Sequence, residues 1–159
     1  MEKRIIRWLK SQLKNTHKKG FVLGISGGLD SSFAAYLCKE ATNNVLGLML
    51  LALRQHWRHP NAYFITKLLN LKIKFIDLTK LYKIFLKLVP KYNRLSSANI
   101  KPRMRMITLY YFANALNYLV VGTGNKSELM LGYFTKYGDG GVDILPLGDL
   151  YKTEIKTLA

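Results

Sequence analysis

The chain has 159 residues, 49% hydrophobic and 21% charged, which suits one domain with a sizeable core and excludes a disordered polymer. No apolar run approaches the roughly 18 residues of a membrane span, and a lone cysteine, Cys38, excludes an internal disulfide framework and fits a reducing, cytoplasmic setting. The formal net charge of +16 invites a polyanionic partner such as nucleic acid, but near-even lysine spacing through residues 1–120, no arginine block and a nearly neutral remainder read instead as solvated lysine faces, with nucleic acid not expected as a partner.

The opening "MEKRIIRWLKSQLKNTHKK" is basic and amphipathic; Ile5, Ile6, Leu9 and Leu13 at helical spacing predict a packed first helix rather than a transit peptide or membrane-surface segment. Strand-like "FVLGIS", helix-like "SSFAAYLCKE", strand-like "NVLGLMLL", helix-like "NAYFITKLLN", strand-like "KIKFIDL" and helix-like "TKLYKIFLKL" follow in turn. A helix over "RMRMITLYYFANALN" and a fourth strand over "YLVVGTG" come next, and a last helix is expected to begin near Asp149. Such alternation predicts an α/β fold with a doubly wound, Rossmann-like parallel sheet and helices on both faces, residues 1–159 forming one domain. Ligands in such sheets bind at the carboxyl ends of the strands, where both glycine-rich turns would lie.

The first of those turns, "GISGGLDSS" at 24–32, joins a strand to a helix. Backbone N–H groups at a helix start make an anion site, and Gly27 and Gly28 let phosphate approach closely. A Walker loop is excluded because Leu29 and Asp30 stand where lysine and a hydroxyl would be needed. Asp30 would repel phosphate unless a cation such as magnesium bridges them; the plainer alternative is a glycine turn with an N-cap aspartate. The second turn, "GTGNKSELMLG" at 122–132, matches a dinucleotide fingerprint only in part. It offers Thr123 at a strand end and Glu128 in the first turns of a helix, either a second metal ligand or an acid favoured by the helix dipole. Six of the nine acidic residues (Asp30, Glu128, Asp139, Asp143, Asp149, Glu154) lie in these turns or in "GYFTKYGDGGVDILPLGDLYKTE", a concentration that suggests chemistry or cation binding, with capping equally able to explain Asp149 and Glu154. Cys38 reads as a core residue, and His56 and His59 as a surface turn without partners for a metal site.

Together "SGGLDSS", "NIKPRMRM" and "LVVGTGNKSELMLGYFTKYGDGGVDILPLGDLYKTEIKTLA" resemble the ammonia-dependent NAD synthetases, of the PP-loop ATP pyrophosphatase class. The likeness is strong at the beginning and over the final 60 residues. It implies a PP-loop adenine nucleotide alpha hydrolase-like fold, a homodimer, and amidation of deamido-NAD by ammonia, with ATP and Mg2+. In that reaction the nicotinate carboxylate attacks the α-phosphorus of ATP, pyrophosphate leaves, and ammonia displaces AMP from the acyl adenylate. By motif match, Gly24, Ile25, Ser26, Gly27, Gly28, Leu29, Asp30 and Ser31 would cradle ATP phosphates, with Thr123 and Lys152 also on ATP. Asp30 and Glu128 would hold magnesium, Arg103, Lys136 and Asp143 would bind deamido-NAD, and Asp30, Lys152 and Asp139 are the catalytic candidates, Asp139 as a base toward ammonium. Two departures stand out. The segment "LALRQHWRHPNAYFI" lacks the family's acids, and the family continues beyond position 159 with a helix, a mobile loop, a threonine and a His–Lys pair, so the resemblance implies a chain lacking the C-terminal part. The rival readings are a nucleotide-binding remnant without turnover and a PP-loop enzyme acting on transfer RNA.

Overall fold

The computed structural model describes residues 1–52 and 60–159; the expected turn at His56 and His59 lies outside the described residues. Four strands, β1 (Gly20–Gly24), β2 (Val45–Leu51), β3 (Lys72–Asp77) and β4 (Tyr118–Val121), form one parallel sheet in the order β3-β2-β1-β4. Between them run α1 (Glu2–Thr16), α2 (Leu29–Ala41), α3 (Pro60–Leu68), α4 (Thr79–Leu88) and α5 (Arg94–Leu116), and after β4 come α6 (Lys126–Leu131) and α7 (Lys152–Leu158).

Strands β1, β2 and β4 are apolar on both sides because both sides are covered, whereas β3, at the sheet edge, keeps Lys72, Lys74 and Phe75 exposed. Phe21, Leu23, Val45, Met49, Leu119 and Val121 join Leu9 of α1, Phe33, Leu37 and Cys38 of α2, and Ile155 of α7 in one core. The alternate residues Val22, Leu46, Leu48 and Val120 pack with Ala113, Leu109 and Phe112 of α5 in a second. Cys38 is fully buried and its thiol is pushed up by that burial, as a core residue should be. The expected first helix is present, with Leu9 buried and Ile5, Ile6 and Leu13 packed on the first core.

Two expected boundaries are corrected. The helix expected from Arg103 begins at Arg94 and carries Pro102 inside it. Proline ordinarily ends a helix, but Asn93 caps this one, its Oδ1 accepting the Ser96 N–H at 2.8 Å. Met104 and Ile100, on either side of Pro102, pack with Tyr82 of α4. The last helix begins at Lys152, not near Asp149. The Tyr151 N–H donates to Glu154 Oε2 at 2.7 Å, so Glu154 serves the helix start while Asp149 lies in the preceding turn.

The chain builds β1, β2 and β3 outward in one direction and then returns to place β4 on the other flank of β1. The crevice beyond the carboxyl ends of β1 and β4 is therefore the topological switch point, where open α/β sheets take ligands.

Candidate active site at the switch point

One wall of the crevice is the turn from β1 into α2. Gly27 adopts φ 82°, a left-handed conformation that glycine reaches without a Cβ penalty. Gly28, the N-cap of α2, has no side chain with which to occupy the first N–H groups of the helix. Ser26 and Ser31 stiffen the turn: their hydroxyls lie 2.9 Å apart, and Ser31 Oγ donates to the Gly28 carbonyl at 2.9 Å. A Cβ added to Gly24 would meet no atom within 4 Å, and one on Gly28 only Ser26 Oγ at 3.4 Å. Protein packing does not demand glycine at these two positions, so the room they leave is available to a ligand. Asp30 is the second residue of α2, not its N-cap.

The opposite wall is the turn from β4 into α6. Asn125, 1% exposed, caps α6: its Oδ1 accepts the Glu128 N–H at 3.0 Å, and its own N–H donates to Glu128 Oε2 at 3.1 Å. Glu128 is thus an N-terminal capping acid that also lines the crevice. Asn125 Nδ2 crosses the crevice to donate to Asp30 Oδ2 at 3.3 Å. Lys152 arrives from α7 because the Lys126 N–H donates to the Leu150 carbonyl at 2.8 Å and the Lys152 N–H to Ser127 Oγ at 3.2 Å. Its ammonium meets both Asp30 oxygens, at 2.7 and 2.6 Å. Residues 122 positions apart in sequence therefore form one ion pair, part-buried on the aspartate side.

Two cavities adjoin here. The smaller, about 290 Å³, is lined by Gly28, Leu29, Asp30, Glu128 and Lys152 among others. The larger, about 740 Å³, runs over Gly24, Ile25, the end of β2 and the face of α5 that carries Lys101 and Arg105. Ser26, Ser31, Thr123 and Asp139 line both. Asp139 is held by the Thr135 N–H, which donates to its Oδ1 at 2.9 Å.

The loop between α6 and α7 divides the candidate dinucleotide residues. Arg103 and Lys136 come together, the Arg103 Nε–H donating to the Lys136 carbonyl at 3.3 Å. Asp143 lies apart from them, against β4: Oδ2 accepts the Val120 N–H and Oδ1 the Tyr110 hydroxyl proton, each at 2.8 Å. With the bridge from Val121 to Ile144 it closes the outer edge of β4. Burial, then the bond to Asp143, push the Tyr110 hydroxyl up to about 12.

Two residues escaped the sequence reading. Asn125 carries a detectable signal, the Asn-x-x-Glu spacing of a capping box, but nothing local indicates its reach to Asp30. Arg105 sits two positions from Arg103, on a different side of the helix, and sequence does not say which arginine faces the cavity. It is Arg105 that lines the cavity, donating through Nε to the Leu50 carbonyl at 3.1 Å; burial lowers its pKa, partly offset by Asp139.

The chemistry of the donor set suits magnesium. Two carboxylates at one small cavity, Asp30 and Glu128, are the hard oxygen ligands with which proteins hold Mg2+ alongside substrate phosphates. Among the described residues no group of three or more His, Cys, Asp or Glu gathers as a self-sufficient metal cage, so phosphate oxygens and water would complete the shell.

A doubly wound parallel sheet with an uncapped glycine turn, an aspartate at the helix start and an acidic partner across the switch point defines an α/β fold of the PP-loop type. The family model described as NAD synthase matches residues 1–159. The chain belongs to the NAD synthase family. It is 43% identical to the NH(3)-dependent NAD(+) synthetase of Archaeoglobus fulgidus over 98% of this chain and 65% of that protein. With the enzyme of the same name from Sulfolobus acidocaldarius it shares 47% identity over 97% of this chain and 57% of that one. The solved NH3-dependent NAD synthetase of Campylobacter jejuni superposes with a TM-score of 0.94 at 38% identity, covering 99% of this chain and 70% of that structure. The NMN synthetase of Francisella tularensis gives 0.91 at 35% identity, covering 97% and 66%. The chain thus spans between about half and two thirds of the length of the curated relatives compared.

Proposed function

We propose that the chain catalyses the amidation of deamido-NAD with ammonia, consuming ATP and releasing AMP and pyrophosphate. The observation that carries this reading is the open glycine turn facing a carboxylate pair across the switch-point crevice. The turn is built to hold a phosphate chain, and its lack of the Walker lysine and hydroxyl favours a leaving pyrophosphate over a transferred γ-phosphoryl group. The pyrophosphate end would lie in the smaller cavity, on the N–H groups of Gly28 to Ser31, with the nucleoside in the larger cavity and the α-phosphorus between them, near Ser26, Ser31 and Thr123.

In the first step a nicotinate oxygen bonds to the α-phosphorus as the bond to the β-phosphate oxygen breaks. Asp30 and Glu128 would hold a magnesium ion, which when bound would supply countercharge for the departing pyrophosphate. Lys152, now on Asp30, would turn its ammonium toward phosphate once that carboxylate has another cation. In the second step ammonia adds to the acyl carbon and AMP leaves. Asp139, at the junction of the cavities, takes the proton from ammonium. Arg103 and Lys136, brought side by side, bind the dinucleotide's negative groups, and Asp143 supports that loop from the edge of β4.

Residues 1–159 act as one domain, and the working form is a homodimer. Leu81, Ile84, Phe85 and Leu88 of α4 recur at helical spacing and are 54%, 46%, 37% and 77% exposed, a stripe of the kind a second copy buries. No helix among the described residues is long and apolar enough to cross a membrane, and the buried, unreactive Cys38 fits a cytoplasmic protein.

The test is product formation by the purified chain with Mg-ATP, ammonium and either deamido-NAD or nicotinate mononucleotide. NAD is expected with the wild type, and no NAD with folded Asp30→Ala. NMN without NAD would change the substrate; no product from folded wild type under saturating conditions would replace catalysis with nucleotide binding alone.

A further inference from the structure

We infer that Asn125 is a positioning residue that sets the two carboxylates Asp30 and Glu128 in register for one divalent cation. The inference rests on the reading of those carboxylates as a metal pair. Asn125 is 1% exposed, one of three polar or charged residues found buried among the described residues. Burying an amide is costly unless its hydrogen bonds are made, and each polar group of this side chain has a partner.

The amide orientation follows from chemistry. Oδ1 meets the Glu128 N–H, a donor, so Nδ2 is left to face Asp30, an acceptor. The backbone N–H of Asn125 meanwhile holds Glu128 Oε2. A single residue therefore grips one oxygen from each carboxylate, although the two acids lie on different helices and 98 positions apart. An ordinary cap explains the bonds to Glu128. It does not explain the bond to Asp30, which contributes nothing to α6 and joins the two walls of the crevice.

The same geometry accounts for the residue type. Serine, threonine and aspartate cap helices about as well as asparagine, yet none of them presents an amide N–H₂ alongside an acceptor. Only asparagine caps α6 through its oxygen and still donates to Asp30 through its nitrogen. Lys152 also binds Asp30, but from a half-exposed side chain; the buried amide is the contact that would persist once Lys152 moves to phosphate.

The experiment separates this role from capping. Binding of α,β-methylene-ATP to the full chain is measured with Mn2+ and with EDTA, giving a metal-dependent gain in affinity, and melting temperature is recorded in parallel. Asn125→Ser keeps an oxygen for the Glu128 N–H but ends one bond short of Nδ2, so its hydroxyl no longer reaches Asp30. It is expected to melt like the wild type, to bind metal-free nucleotide equally, and to lose about tenfold of the Mn2+-dependent gain, in the range found when a residue behind a metal ligand is changed. Asn125→Thr repeats the measurement should the serine variant melt early. An unchanged gain in a folded variant, or an equal loss with and without Mn2+, overturns the inference. Asp30→Asn and Glu128→Gln run alongside: if they too leave the gain intact, or if the wild type shows none, the metal reading itself falls.

Discussion

At the scale of single residues, the crevice is defined as much by side chains left out as by those present. Gly20 and Gly122 are glycine for packing, since a Cβ on either would come within 3.0 Å of neighbouring atoms. Gly24 is different: the protein leaves space above it and puts nothing there. Gly24→Ala is therefore expected to keep the melting temperature within about 2 °C, because alanine is no worse than glycine in an extended segment with free room. Its methyl would occupy ligand space, and ATP affinity should fall at least about tenfold by titration calorimetry. Undiminished affinity would mean that the nucleoside does not lie over the end of β1. The charged residues follow a related logic. Asp30, Lys152 and Asn125 satisfy one another across the crevice, which keeps the largely buried Asp30 carboxylate paired.

At the scale of elements, β4 is short, four residues, and its outer edge would be open without the loop that follows α6. Asp143 closes it by accepting from the Val120 backbone, and Tyr110 of α5 holds Asp143 in turn. This clamp has a pH signature. Tyr110 loses its proton at about 12 when folded against an ordinary value of 10.0, so the unfolded chain ionises first. The stabilisation is complete below pH 10 and is lost as pH rises through 12. Relative to Tyr110→Phe, the wild type should thus be more stable at pH 9, by about 1 kcal/mol for one partly exposed hydrogen bond, and the difference should shrink between pH 10 and 12. Urea midpoints of the two proteins across that range make the comparison; a constant difference would show that the Tyr110 hydroxyl does not titrate through this bond. The long α5 illustrates how tertiary packing overrides local preference. Pro102 is a strong local reason to start the helix after it, but the Asn93 cap and the packing of Ile100 and Met104 on Tyr82 extend it nine residues earlier.

At the scale of the whole molecule, the apolar stripe of α4 is one exposed hydrophobic surface among the described residues. Sedimentation velocity should find a dimer, and Ile84→Glu with Leu88→Glu should give monomers with unchanged far-UV circular dichroism, since both side chains point away from the core. A wild-type monomer at micromolar concentration would remove α4 from the interface. The order of elements, the parallel sheet and the crevice at the strand ends were legible in the amino-acid sequence because they depend on short-range information: apolar strand runs, helix spacing, and glycine turns at strand ends. Asp30, Thr123, Glu128 and Lys152, singled out through resemblance to a family, line one cavity in the structure. What only the tertiary structure decided are relations between distant segments. That Lys152 pairs with Asp30, that Asn125 spans Asp30 and Glu128, that Arg105 rather than Arg103 faces the larger cavity, and that Asp143 closes a sheet edge all depend on where folding brings residues tens of positions apart. Sequence periodicity reports which face of an element is buried; it carries no information on which distant polar group meets it there, because that is set by the packing of whole elements against one another.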